Sequence, residues 1–143
     1  MAKMVFDFHI ALYPDKISEL KATNGEVAIL PFGGKVESEL FTGTILPGAA
    51  DVQIQNASGI RHMCARYMFQ GTDHTGAACK LFVDNNGYFE PKKGGVAMPF
   101  YTCPTFMTDS AALAPYLEAA HFRAEGHMKE DGLHIMVFDT HQD

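Results

Sequence analysis

Asp51, Arg66 and the amides Asn85 and Asn86 lie in one run of short apolar segments with Cys64 and Met68 between them. These residue types define a chemistry. A guanidinium holds a carboxylate or enolate oxygen through two parallel hydrogen bonds, and a partly desolvated aspartate serves as a general base. Asp51 and Arg66 are therefore the candidate catalytic pair. Cys64, Met68, Asn85 and Asn86 are the candidate ligand contacts beside them. The same residues admit a structural account. A buried Asp–Arg pair perturbs pKa values without catalysing anything, and Asn86-Gly87 is in the first place a turn signal. Cys64 acts as a nucleophile only with a lowered pKa; a buried, inert thiol is the alternative.

The elements that must position these groups read as strands. Asp51, Gln53 and Gln55 alternate with Val52 and Ile54 after the Pro47-Gly48 turn, and residues 62–72 form a β-rich run. Asp73-His74-Thr75-Gly76 turns that run into its partner, residues 77–84. A regular hairpin with His74 and Thr75 at its tip places Arg66 opposite Val83 and Cys64 opposite Asn85. Arg66, Cys64 and Met68 then share a mixed polar and apolar wall with Leu81, Val83 and Asn85. Upstream, Phe6, Phe8, Ile10 and Leu12 recur at period two, so residues 4–12 are a strand. Residues 16–21 read as a short turn or helix before Asn24-Gly25, and residues 27–32 as a strand that Gly33-Gly34 breaks. A longer strand then covers residues 35–46.

Downstream, Pro91 to Gly95 is a loop by composition, and residues 96–106 are a strand interrupted by Pro99 and Pro104. One helical turn, Ala111 to Ala114, precedes Pro115. Residues 116–125 suit strand or helix, and Leu133, Ile135 and Val137 mark a final strand. Many short strands with Gly/Pro turns predict an all-β fold, a single closed or nearly closed antiparallel β-barrel of about eight strands with at most one short helix. Residues 1–143 are expected to form a single domain.

Composition narrows the function classes. With 11 Lys plus Arg against 17 Asp plus Glu, the net charge of -6 repels a phosphate backbone, and nucleic acid is not expected as a partner. No run approaches the roughly 20 apolar residues of a membrane helix. Asp7 and His9 interrupt the apolar start that a secretion signal requires, so a cytoplasmic location is expected. Cys64, Cys79 and Cys103 lack the paired spacing of a zinc site, and the seven histidines include no helical zinc motif. Neither a metal nor another cofactor is expected. Apolar side chains on both faces of several strands, including Tyr67, Phe69 and Phe82, predict a homo-oligomer, a dimer or larger.

Gly43-Thr44-Ile45-Leu46-Pro47-Gly48-Ala49-Ala50-Asp51, Ala65-Arg66-Tyr67, Thr72-Asp73 with Gly76, and Asn86-Gly87 together carry a resemblance. So do Phe100, Thr102, Pro104, Phe106 and Thr108, followed by Tyr116-Leu117 and Gly126. Through most of its length the chain resembles the domain-of-unknown-function-3237 family of small microbial proteins. That resemblance implies an allene-oxide-cyclase-like or lipocalin-like barrel with a catalogued function of unknown. Cys64 stands where the family commonly has aspartate, and Val52 where it often has tryptophan. Tyr101 and Met107 fall where arginine and glutamate are expected.

Two function classes follow. One is an isomerase, cyclase or lyase acting by acid-base chemistry in the lumen on a small, partly apolar organic acid. The alternative is a non-catalytic barrel that binds a small apolar or anionic organic ligand, or a structural oligomer subunit. Catalysis demands a desolvated titratable group beside an oxygen-holding donor, whereas binding needs only shape and a polar anchor.

Overall fold

Period-two alternation places the first and last strands side by side. β1 (Lys3–Leu12) turns Phe6, Phe8 and Ile10 inward and pairs antiparallel with β10 (Gly132–Asp139). Val137 and Ile135 of β10 lie opposite Phe6 and Phe8, so the two strands bury one continuous apolar face. The structure, a computed structural model, describes residues 2–90, 98–119 and 121–141.

Between these strands, β3 (Gly25–Glu37) runs for 13 residues and changes neighbours half-way. Its first half pairs with β2 (Ser18–Ala22) and β5 (Ala50–Asn56); its second half pairs with β1 and β4 (Phe41–Ile45). β6 (Arg61–Asp73) then runs along both β4 and β5. The series β7 (Ala78–Phe89), β8 (Phe100–Thr108), β9 (Phe122–Lys129) and β10 leads back to β1. Taking β1 with β2 and β4 with β5 as interrupted staves, the ring has eight positions, a closed antiparallel barrel. Among the described residues the helical elements are α1 (Ala114–Leu117) and a 3-10 turn, Pro14–Lys16.

Several local readings of the sequence need correction. Gly33-Gly34 does not break a strand. It lets β3 bend: Gly34 adopts φ +147° against the His9 carbonyl, where a side chain would collide. The real interruption is at Ser38, whose hydroxyl accepts from the Leu40 and Phe41 N–H groups and donates to the Phe41 carbonyl. Residues 18–22 are strand rather than helix, because β3 offers them a partner. The helical turn lies later than expected, since Pro115 fits its first turn and does not end it. The expected loop Pro91 to Gly95 and the start of the following strand lie outside the described residues.

The interior packs by ring contacts. Phe8 lies 4.8 Å from Phe69 and 5.2 Å from Phe6, and Phe106 meets Phe122 edge-on at 5.3 Å. Leu113, just before α1, and Leu117, its last residue, are each 1% exposed in the same cluster. Among the described residues no helix is long and apolar enough to cross a membrane.

Candidate functional site

One correction reorganises the site. The loop between β6 and β7 is one residue longer than a two-residue hairpin: Asp73 N–H donates to the Ala77 carbonyl, Gly76 N–H donates to Asp73, and Gly76 takes φ +87°. Asp73 Oδ1 fixes this turn by accepting from the Thr75 N–H and hydroxyl and from the Ala77 N–H. The register therefore moves by one, so that Arg66 lies opposite Asp84, Cys64 opposite Asn86, and Ala65 opposite Asn85. Because side chains alternate between the faces, Asn85 belongs to the inner wall, and Arg66, Cys64 and Met68 belong to the outer one.

The expected Asp51–Arg66 pairing is not formed. Arg66 stands 66% exposed on the outer face, with Nε 3.4 Å from Asp84 Oδ1. Cys64 Sγ faces the same carboxylate oxygen at 4.0 Å, and partial burial pushes its thiol up, away from a reactive thiolate. Met68 is exposed beside Phe82 and Met107. Asn86 also faces outward, bonded to Asp84 at 2.8 Å and to His62 at 2.9 Å. Of the six expected site residues, the inner wall keeps Asp51 and Asn85.

Those two flank Ala65 on a single ladder: Asp51 on β5, Ala65 on β6, Asn85 on β7. Asp51 Oδ2 accepts from Gln53 Nε2 at 2.7 Å, while its Oδ1 is buried and makes no hydrogen bond among the described residues. Three other buried polar atoms share that condition: Asn85 Oδ1, Tyr67 Oη and Thr102 Oγ1. Tyr67 is two residues from Ala65 on the same face, and Thr102 touches the strand position of Gly87, two residues beyond Asn85. A side-chain carbon at Gly87 would come within 2.8 Å of the Thr102 methyl, so the glycine keeps this wall open for the threonine. Four orphaned polar groups on one stretch of wall are many, because buried polar atoms in folded proteins are nearly always paired.

Electrostatics assigns them different states. Burial raises the pKa of Asp51, opposed by the Gln53 bond, by the charges of Arg61 and His62 and by the nearby backbone N–H of Cys64. Burial, helped by the Asp51 charge, pushes the Tyr67 phenol far up, so it remains an O–H donor. The guanidinium sought for this wall is Arg61. Its side chain is 14% exposed; Nε donates to Gln53 Oε1 at 2.7 Å, and Nη1 donates to Gln55 at 3.0 Å and to Glu26 at 3.2 Å. A relay Asp51–Gln53–Arg61–Glu26 results. Parity could have found it, since Met63, Ala65, Tyr67 and Phe69 form an apolar series to which Arg61 belongs.

The family model described as protein of unknown function (DUF3237) matches residues 2–140. The chain belongs to that family. A curated relative, a UPF0311 protein of Clostridium acetobutylicum, is 36% identical over 99 residues. The match covers 60% of this chain and 60% of that relative's length. Among solved structures, a protein with unknown function from Clostridium acetobutylicum superposes with TM-score 0.75 at 24% identity, covering 96% of this chain and 97% of the other. An enzyme from Penicillium herquei superposes with TM-score 0.64 at 17% identity, covering 96% and 93%. These likenesses establish the barrel fold.

Proposed function

We propose that the chain is an acid-base enzyme, an isomerase, cyclase or lyase, acting in the barrel lumen on a small, partly apolar organic acid. The observation that carries this reading is the group of buried polar atoms without hydrogen-bond partners among the described residues, Asp51 Oδ1, Tyr67 Oη, Asn85 Oδ1 and Thr102 Oγ1. Asp51 is the base: burial raises its pKa and so strengthens it as a base toward the proton on carbon next to a carbonyl, whose C–H electron pair moves onto the carbonyl oxygen. Tyr67, held neutral, donates to the oxygen on which charge develops. Asn85 and Thr102 orient the substrate, and Arg61 holds Gln53, which in turn holds Asp51. Delivery of the same proton to a new carbon is isomerisation; attack of the enolate carbon on an electrophilic carbon of the same molecule, whose displaced electron pair goes to its own oxygen, closes a ring, and expulsion of a β-substituent with its bonding pair is elimination. The barrel neighbour described as an enzyme supports a catalytic over a passive use of the fold.

The test is proton exchange in D2O, followed by NMR across a panel of enolisable small carboxylic acids. Wild type is expected to wash out one α-proton from a subset; Asp51→Asn should abolish that exchange, and Tyr67→Phe should slow it about 100-fold or more. Acids that stabilise wild type without exchange, and lose that effect in Asn85→Ala, would leave a non-catalytic binding barrel.

A second reading concerns assembly, and β2 favours it. Among the described residues this strand pairs with β3 on one side and no strand on the other. Its sequence, Ser18-Glu19-Leu20-Lys21-Ala22, is self-complementary: antiparallel pairing of two copies about Leu20 sets each Glu19 opposite a Lys21. Leu20, 62% exposed, and Ile54, 49% exposed, lie on the outer face next to that edge. We infer a homodimer joined through β2. Sedimentation should give a dimer at micromolar concentration that Lys21→Glu dissociates; a wild-type monomer would end this reading.

A further inference from the structure

A different cluster sits on the outer face, where the first and last strands meet. Asp7 and His9 are two residues apart on one face of β1, and His134 lies directly opposite His9 on β10. His134 Nδ1 is 2.9 Å from Asp7 Oδ1, and His9 Nε2 is 3.7 Å from Asp7 Oδ2. The ligating atoms of all three residues lie within 4.8 Å of one another. We propose that Asp7, His9 and His134 form a binding site for a divalent transition metal of the Zn2+ class.

The spacing fits such an ion. Bonds of about 2.1 Å in tetrahedral geometry hold neighbouring ligand atoms about 3.4 Å apart. The distances of 2.9 and 3.7 Å to the two Asp7 oxygens bracket that value, and with all three donor atoms within 4.8 Å an ion draws them together by movements on the order of 1 Å. The donor set selects the metal class, because two imidazoles and one carboxylate suit Zn2+, Co2+ or Fe2+, whereas Mg2+ and Ca2+ require oxygen ligands. His134 supplies a further, independent feature. Its other nitrogen, Nε2, faces Asp131 Oδ1 at 2.7 Å, the carboxylate partner that orients a metal-binding imidazole. Coordination replaces the Nδ1 proton that otherwise bonds Asp7. Side-chain exposures of 42% for His9, 28% for Asp7 and 6% for His134 leave the fourth position to water. The metal would tie β1 to the β9–β10 hairpin and lock the seam at which the barrel closes. Sequence spacing could not reveal this site, since it joins residues 7 and 9 to residue 134 across strands.

The competing account makes His134 a structural imidazolium bridging Asp7 and Asp131. Calorimetric titration with ZnCl2 of untagged protein, freed of metal by a chelator, separates the two. One ion per chain should bind and raise the melting temperature. His9→Ala and Asp7→Asn, at partly exposed positions, should each weaken uptake more than about tenfold, and Asp131→Asn should weaken it about 10- to 100-fold. Co2+ should give visible absorption bands that His9→Ala removes. His127→Ala, which deletes the next histidine along the row, bonded to Glu125 at 3.0 Å, should leave uptake unchanged. No uptake, uptake that survives both His9→Ala and Asp7→Asn, or uptake lost only in His127→Ala would overturn the proposal.

Discussion

Two aspartates at opposite ends of the barrel show what its two ends are for. Asp73, 6% exposed, accepts from four donors: the Thr75 N–H and hydroxyl, the Ala77 N–H and the Ser110 hydroxyl. The Ser110 and Thr75 bonds hold its carboxyl well below the ordinary range. Asp51 accepts one side-chain bond, keeps an oxygen unpaired, and has a pKa raised by burial. The end with Asp73 is finished: rings of Phe8, Phe41 and Phe69 fill it, and α1 covers it. The end with Asp51 holds polar groups that the described residues do not satisfy. A fold gains nothing in stability from such groups, so the contrast separates a stabilising half from the half to which the proposed function is assigned.

The largest expected effect lies in the finished half. Phe69 is fully buried and touches the rings of Phe8, Phe41 and Tyr67. Phe69→Ala should cost about 3 to 5 kcal/mol in urea unfolding. A loss below about 1 kcal/mol would mean that this end is no better packed than the other.

Next in size are the two aspartates, whose isosteric amides should act in opposite directions. Asp73, with a lowered pKa, contributes stability that is fully present above the unfolded-state value near 4 and is lost as pH falls through the folded-state value. Asp73→Asn should therefore destabilise at neutral pH and flatten the acid limb. Asp51, with a raised pKa, destabilises as pH rises from the unfolded-state value through the folded-state one. Asp51→Asn should then stabilise the fold at neutral pH, and the gain should vanish in acid. Melting curves of both variants from pH 3 to pH 8 check the signs; destabilisation by Asp51→Asn at neutral pH would make Asp51 a structural group like Asp73.

The same contrast explains what the sequence made legible. Strands β1 and β10 each turn one apolar face into the core, so alternation of Phe6, Phe8 and Ile10, and of Leu133, Ile135 and Val137, reports them directly. Pro47-Gly48 and Asp73 to Gly76 are turns for reasons local to the chain. β2 is exposed throughout and has no pattern of its own; it is strand only because β3 pairs with it. Gly33-Gly34 needs tertiary context as well, because a glycine pair that permits a bend looks the same as one that ends a strand. The site depended on one integer. Reading the turn after Asp73 as two residues rather than three kept Asp51 and Asn85 as candidates but exchanged the inner and outer faces of β6, replacing Arg61 with Arg66.

The smallest expected effect tests that exchange. Arg66 is 66% exposed and pairs with Asp84 at 3.4 Å, the geometry of a surface ion pair screened by water. Arg66→Met should change stability by less than about 0.5 kcal/mol and leave ligand binding and proton exchange unaltered. Arg61→Met removes three hydrogen bonds from a largely covered guanidinium and releases Gln53, the group that holds Asp51. It should therefore lower stability more than Arg66→Met does and slow any Asp51-dependent exchange. Equilibrium unfolding and D2O exchange on the two variants read both quantities. If Arg66→Met abolishes exchange while Arg61→Met spares it, the working face is the outer one, and the unpaired groups of the inner wall require another explanation.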